Sequence, residues 1–165
     1  MSEKIVIDLS KYMSEVGKTL PFQAEFEPKD ELLPYPNATI TKSTVDFSVT
    51  FLNPEVHVCG NITCFVSGQC DKCLAPVNKA ITIPFDQIFY KDCSDDPDAF
   101  VYQNGKADIT QAVEEEIALG VPTSLLCNDD CKGLCPKCGA DRNKVQCDCD
   151  TTKENPFSFL KNLKF

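Results

Sequence analysis

Six cysteines crowd one stretch in the order Cys127-x3-Cys131-x3-Cys135-x2-Cys138-x8-Cys147-x-Cys149, and a separate Cys-x2-Cys pair stands at Cys70 and Cys73. Eight thiols are the complement of two tetrahedral metal sites. A Cys-x2-Cys turn lets two sulfurs converge on one ion at about 2.3 Å, and Gly139, directly after Cys138, permits the tight backbone turn such a knuckle needs. The spacing predicts structural zinc, one or two Zn2+ ions. The expected division gives Cys135, Cys138, Cys147 and Cys149 to a local C-terminal site and joins Cys70 and Cys73 to Cys127 and Cys131. A Cys-x-Cys pair is strained as a double ligand, so binding by both Cys147 and Cys149 stays open at this point. An unfolded chain holds no preformed site, so metal affinity, about 10–16 kcal/mol in zinc-finger peptides, appears as folding energy.

Other uses of these thiols fit less well. In a secreted chain eleven cysteines would suggest disulfides. Residues 1–10, however, carry one lysine and an alternating apolar pattern where a secretion signal would have a charged start and an apolar block. A reducing, cytoplasmic setting is expected, with metal-bound or free thiols. Neither spacing matches a standard ferredoxin run. Cys59, Cys64 and Cys93 read as bland, the first two as small hydrophobes in strand-like sequence. A redox dithiol at Cys70 and Cys73 is the competing reading, and no flanking aromatic or βαβ pattern supports a thioredoxin-like frame. A zinc-ribbon transcription accessory is a third.

Around the cysteines the chain reads as a β-rich core. Val45, Phe47, Val49 and Phe51 alternate with polar residues, the period-two pattern of a strand with one buried face. Ile5, Ile7 and Leu9 suggest a short strand, Ser10 caps a brief helix running to Gly17, and residues 20–26 form another strand. Pro28, Pro34 and Pro36 mark a loop. Residues 56–66 suggest one or two strands interrupted at Gly60-Asn61, and Val77, Ile81, Ile83 and Phe85 the return strand of a hairpin whose tip is residues 69–74. Residues 92–98 read as an acidic loop and Asn104-Gly105 as a turn. The clearest helix spans residues 109–119, with Asp108 and Gln111 as a capping box and with Gly120 and Pro122 ending it. Asn155-Pro156 starts a short amphipathic helix that carries Phe159 and Leu163.

The expected fold is therefore α+β: an antiparallel β-sheet or partly open barrel packed against one main helix, with a C-terminal cysteine-rich zinc lobe. Its organisation is a core over residues 1–122 that carries the hairpin tip, a zinc-binding lobe over 123–150, and a linker with a basic helix over 151–165. No segment is apolar enough for a membrane span. The formal charge of −9 argues against a general polyanion binder, but it is unevenly spread. Residues 1–130 hold 9 basic and 21 acidic side chains, and residues 131–165 hold 7 and 4. Catalytic chemistry is thin. His57, the only histidine, lies in strand-like sequence without a companion, and the run Glu114, Glu115 and Glu116 reads as a solvated helix face.

Several segments stand in a telling order: Cys70-Asp71-Lys72-Cys73-Leu74-Ala75-Pro76, Gly120-Val121-Pro122 after the helix, Leu126-Cys127, Cys131-Lys132-Gly133-Leu134-Cys135-Pro136-Lys137-Cys138-Gly139, Cys147-Asp148-Cys149, and Asn155-Pro156-Phe157 with Leu160, Leu163 and Lys164. In combination they resemble the YceD family, the large ribosomal RNA subunit accumulation proteins of bacteria and plastids. Lys72 stands where the family often has Arg, and Asp141-Arg142-Asn143 where Asn-Leu-Asn is more usual. The resemblance implies a non-enzymatic role in the accumulation or processing of 23S rRNA and in large-subunit assembly. Its partners would be 23S rRNA or a pre-50S particle, met directly or through a basic ribosomal or processing protein, with no small-molecule substrate. Direct RNA contact would fall to Lys132, Lys137, Arg142, Lys144, Lys161 and Lys164. The acidic N-terminal surface favours the protein-assisted mode.

Overall fold

Three long antiparallel strands make the frame in a computed structural model that describes residues 4–28, 32–35, 38–91 and 99–149. In chain order the elements are β1 (Val6–Asp8), α1 (Ser10–Met13), β2 (Thr19–Phe26), β3 (Ala38–Phe51), β4 (Val56–Gln69), β5 (Pro76–Lys91), β6 (Phe100–Tyr102), β7 (Lys106–Asp108) and α2 (Thr110–Gly120). The main sheet has the order β2-β3-β4-β5-β6, and β1 pairs with β7 in a second, two-stranded sheet. Every pairing is antiparallel except β5 with β6, so the expected antiparallel sheet gains one parallel edge strand.

Period-two burial sets the register. Val45, Phe47, Val49 and Phe51 of β3 share the buried face with Val56, Val58, Ile62 and Cys64 of β4 and with Ile81, Ile83, Phe85 and Phe89 of β5. A one-residue slip would turn all of these to water, so the pattern itself fixes the pairing. Against this same face, α2 buries Ala112, Val113 and Ile117. Its last residue, Gly120, lies so close to the Ile83 side chain that a Cβ there would collide with it.

Several local expectations change. Gly60-Asn61 does not interrupt a strand; β4 runs unbroken through it. Gly60 is registered between Phe47 on β3 and Phe85 on β5, and those two rings stack with centroids 4.5 Å apart. The missing side chain is the space in which the rings meet. The capping box also does not form. Asp108 Oδ1 instead accepts from Thr110 N at 3.1 Å, and Gln111 donates to Glu115 at 2.8 Å. Ser10 opens α1 and does not cap it; its N–H and hydroxyl both donate to Asp8 Oδ1, and the helix stops at Met13. Gly17, at φ +80°, comes after that stop and donates to Phe51 O at 2.9 Å.

The two sheets approach closure without reaching it. Gln103 and Lys106 bridge β6 to β7, whereas between β1 and β2 the wall stays open as a cleft of about 490 Å³ lined by residues 4–6 and 22–26. Among the described residues no helix is long and apolar enough to cross a membrane. The expected acidic loop with Cys93, the linker and the C-terminal helix with Phe159, Lys161, Leu163 and Lys164 lie outside the described residues.

Gly60→Ala tests the stacking arrangement. A Cβ at this position, where φ is +155°, would run into the Asp46 carbonyl oxygen and come within 2.9 Å of Phe47 Cα. Denaturant unfolding should show a loss of about 2 kcal/mol or more; a change within roughly 0.5 kcal/mol would contradict the close approach described.

Candidate metal centre

The β4–β5 hairpin carries Cys70 and Cys73 on its tip, where Cys70 N donates to Ala75 O and Leu74 N to Cys70 O, both at 2.8 Å. The chain leaving α2 comes back over this tip. Asp71 N donates to Leu125 O at 2.9 Å while Leu125 N donates to Asp71 Oδ2 at 2.6 Å, a reciprocal clip that delivers Cys127 and Cys131. Leu134 N then donates to Lys72 O at 3.0 Å. Only glycine fits at 133, because φ is +70° and a Cβ would sit 2.9 Å from the Lys72 carbonyl oxygen.

The sulfurs of Cys70, Cys73, Cys127 and Cys131 all lie within 4.8 Å of one another, with Cys70 to Cys131 at 3.8 Å and Cys73 to Cys127 at 3.5 Å. A tetrahedral shell with metal–sulfur bonds of about 2.3 Å has an edge of about 3.8 Å. The spacing thus fits four thiolates on one ion. Cys135, Cys138, Cys147 and Cys149 form a second group that meets the same 4.8 Å limit, with both members of the Cys-x-Cys pair included. Here Cys135 N donates to Ala140 O at 2.8 Å and Gly139 N, at φ +73°, to Cys135 O at 2.9 Å, which closes the knuckle. The structure divides the eight cysteines as their spacing suggested. Cys64 is buried in the sheet and Cys59 is half-buried, and both stand apart from the two groups.

Each group has an early and a late proton. Burial pushes the Cys70 thiol up, but the backbone N–H groups of Cys127, Cys73 and Lys72 outweigh it and bring it down to about 6. Backbone N–H groups of Cys138 and Lys137 likewise lower Cys135 to about 6. In contrast, the sulfurs of Cys73 and Cys131 push Cys127 up to about 12, and the Cys138 sulfur with burial does the same to Cys149. Four ionised thiols in so small a volume need a cation beside them, and a bound dication would supply that charge.

Two residues not singled out from spacing support this centre. Asp71 holds the clip, and Asn143 bonds across the two groups: its Nδ2 donates to Cys131 Sγ at 3.4 Å and to Asp141 Oδ1 at 2.8 Å, and its Oδ1 accepts from Lys132 N at 2.8 Å. The legible signal was the Asp-x-Asn at 141–143, a combination that favours side-chain bonds to nearby backbone. Of the expected RNA contacts, Lys132, Lys137, Arg142 and Lys144 are exposed on the lobe; Lys144 pairs with Asp141 at 3.3 Å. Lys132 and Arg142 flank a cleft of about 350 Å³ with Val145, Gln146 and Cys147. Lys161 and Lys164 lie outside the described residues. His57 is engaged on the sheet face, its Nε2 2.6 Å from an Asp86 carboxylate oxygen.

Comparison with known proteins bears on the same region. A family model described as large ribosomal RNA subunit accumulation protein YceD matches residues 58–164, which take in all eight clustered cysteines. Uncharacterised proteins of Mycobacterium tuberculosis and Mycobacterium bovis are each 30% identical over 101 residues, 58% of this chain and 49% of theirs. An Arabidopsis thaliana chloroplastic protein named large ribosomal RNA subunit accumulation protein YCED homolog 1 is 21% identical over 191 residues, covering 96% of this chain and 59% of its own length. This chain spans about half the length of the mycobacterial relatives. No solved structure matches it.

Two outcomes test the centre. Cys70→Ser with Cys73→Ser should halve the metal bound per chain, by elemental analysis, and leave the second group loaded; unchanged content would contradict the shared site. Metal affinity, followed by chelator competition, should fall steeply as pH is lowered through about 6. There Cys70 and Cys135, whose depressed values keep them ionised at neutral pH, take up protons that the ion must displace. An affinity independent of pH from 7 to roughly 5 would contradict the thiolate assignment.

Proposed function

This chain belongs to the YceD family of large ribosomal RNA subunit accumulation proteins, and from that membership we propose that it is a cytoplasmic, non-enzymatic ribosome-biogenesis factor. It supports the accumulation of 23S rRNA and large-subunit assembly by binding. The family match over residues 58–164 carries this reading. Each four-sulfur group holds a zinc ion, for the d10 ion has no geometric demand that the tetrahedral thiolate set fails to meet. Four converging sulfurs at the hairpin tip favour a closed structural site over a dithiol exchanging disulfides. Residues 1–122 act as the core and 123–150 as the metal-held lobe.

Charge decides between partners. Two zinc ions on eight thiolates add four negative charges to the formal −9, giving about −13. A molecule so acidic is not drawn to RNA as a whole, and the exposed Lys132, Lys137, Arg142 and Lys144 sit beside the two anionic metal centres. Long-range attraction favours a basic partner, so the chain holds a basic ribosomal or processing protein at the assembling subunit.

Depleting the protein in its host should lower mature 23S rRNA relative to 16S; an unchanged ratio would overturn the biogenesis role. In vitro, the zinc-loaded full chain should retain isolated basic large-subunit proteins, with retention falling as salt rises. Retention of naked 23S rRNA in place of those proteins would overturn the protein-assisted mode.

A further inference from the structure

We infer that Asn143, carried on the loop of the second cysteine group, is a positioning residue for the first, so that the two metal sites fill as one cooperative unit. This inference rests on the reading that both groups hold metal.

Asn143 lies between Asp141 and Cys147 in the ribbon that the second group folds, yet its amide bonds to a ligand of the first. Lys132 N fixes the amide's orientation by donating to Oδ1 at 2.8 Å, which leaves Nδ2 to face the Cys131 sulfur at 3.4 Å. The other Nδ2 hydrogen goes to Asp141 Oδ1, which also accepts from Asn143 N at 3.0 Å. Both amide hydrogens and the carbonyl oxygen are thus engaged, so the position needs a donor and an acceptor at fixed separation. Alanine offers neither; aspartate keeps the acceptor alone.

The backbone repeats the connection. Arg142 N donates to Gly133 O at 3.0 Å, and the next residue, Leu134, both bridges to Asp141 and donates to Lys72 O on the hairpin tip. Metal in the second group orders the ribbon from Cys135 to Cys149. Ordering it sets Asn143 against Cys131 and Leu134 on Lys72, so the first site no longer bears that entropic cost. Linkage makes the effect mutual. An N–H donated to a ligating sulfur also lowers the energy of its lone pairs, as outer-shell partners of metal ligands do.

The experiment is cobalt(II) titration of the full chain, read by its sulfur-to-cobalt charge-transfer absorption and by competition with a chelator. Wild-type chain should take two ions cooperatively. Asn143→Ala and Asn143→Asp should each weaken the first site by roughly 10- to 100-fold. They should also shift its charge-transfer band to lower energy, which a merely structural role would not do. Cys138→Ser with Cys149→Ser should weaken the first site comparably, and adding Asn143→Ala to that pair should cost little more. Two ions bound with both Asn143 variants unchanged in affinity and band position would overturn the coupling alone. A wild-type chain that takes up fewer than two ions would overturn the metal reading and the coupling with it.

Discussion

Sulfur atoms from chain positions more than fifty residues apart meet at the tip of the β4–β5 hairpin, and the lobe depends on that meeting. Cys70 and Cys131 stand 3.8 Å apart, Cys73 and Cys127 3.5 Å. Beyond the Leu125–Asp71 clip the lobe offers little apolar surface: Leu125, Cys131 and Cys135 are buried there, whereas Val145 is 58% exposed. A segment with so small a core cannot offset its ordering entropy by burial alone. Metal–thiolate bonds, which the two four-sulfur groups can accommodate, would take the place of the missing core.

The hairpin earns its length from the sheet beneath. β4 pairs with β5 along its whole length, from Val56 opposite Phe89 to Gln69 opposite Pro76, which carries the tip cysteines well beyond Ile83, where α2 ends. Gly120 packs α2 hard against Ile83 and so fixes where the returning chain starts. Asp71 then receives that chain at Leu125. Sheet, helix and clip together determine where the four thiols arrive before any ion binds. Neighbouring sulfurs push Cys127 up to about 12, so the fourth thiol of this group gives up its proton only when a cation displaces it.

Much of this was legible from residues. Period two in Val45, Phe47, Val49 and Phe51 marked the buried face, and cysteine spacing marked both groups, because each pattern follows from a local geometric rule. What escaped depends on partners that spacing alone does not reveal. Gly60 looked like a strand break because nothing local reveals Phe47 and Phe85 stacking over it. Asp108 and Gln111 had the spacing of a capping box, but Thr110 N lay nearer to Asp108 and Glu115 nearer to Gln111. β6 could not be placed as a parallel partner of β5, since three residues carry no readable periodicity. The Asp-x-Asn at 141–143 signals local side-chain bonds but not Asn143's more distant target, Cys131, which is reached only after the ribbon folds. Acidic charge and family membership are the grounds on which a binding role with a basic partner is proposed.

X-ray absorption at the zinc edge of the purified full chain reads the metal shell itself. Two zinc ions per chain are expected, each with four sulfur neighbours at about 2.3 Å and no nitrogen or oxygen in the shell. A shell containing light atoms, or a folded chain that carries no metal while its lobe keeps its shape, would contradict this expectation.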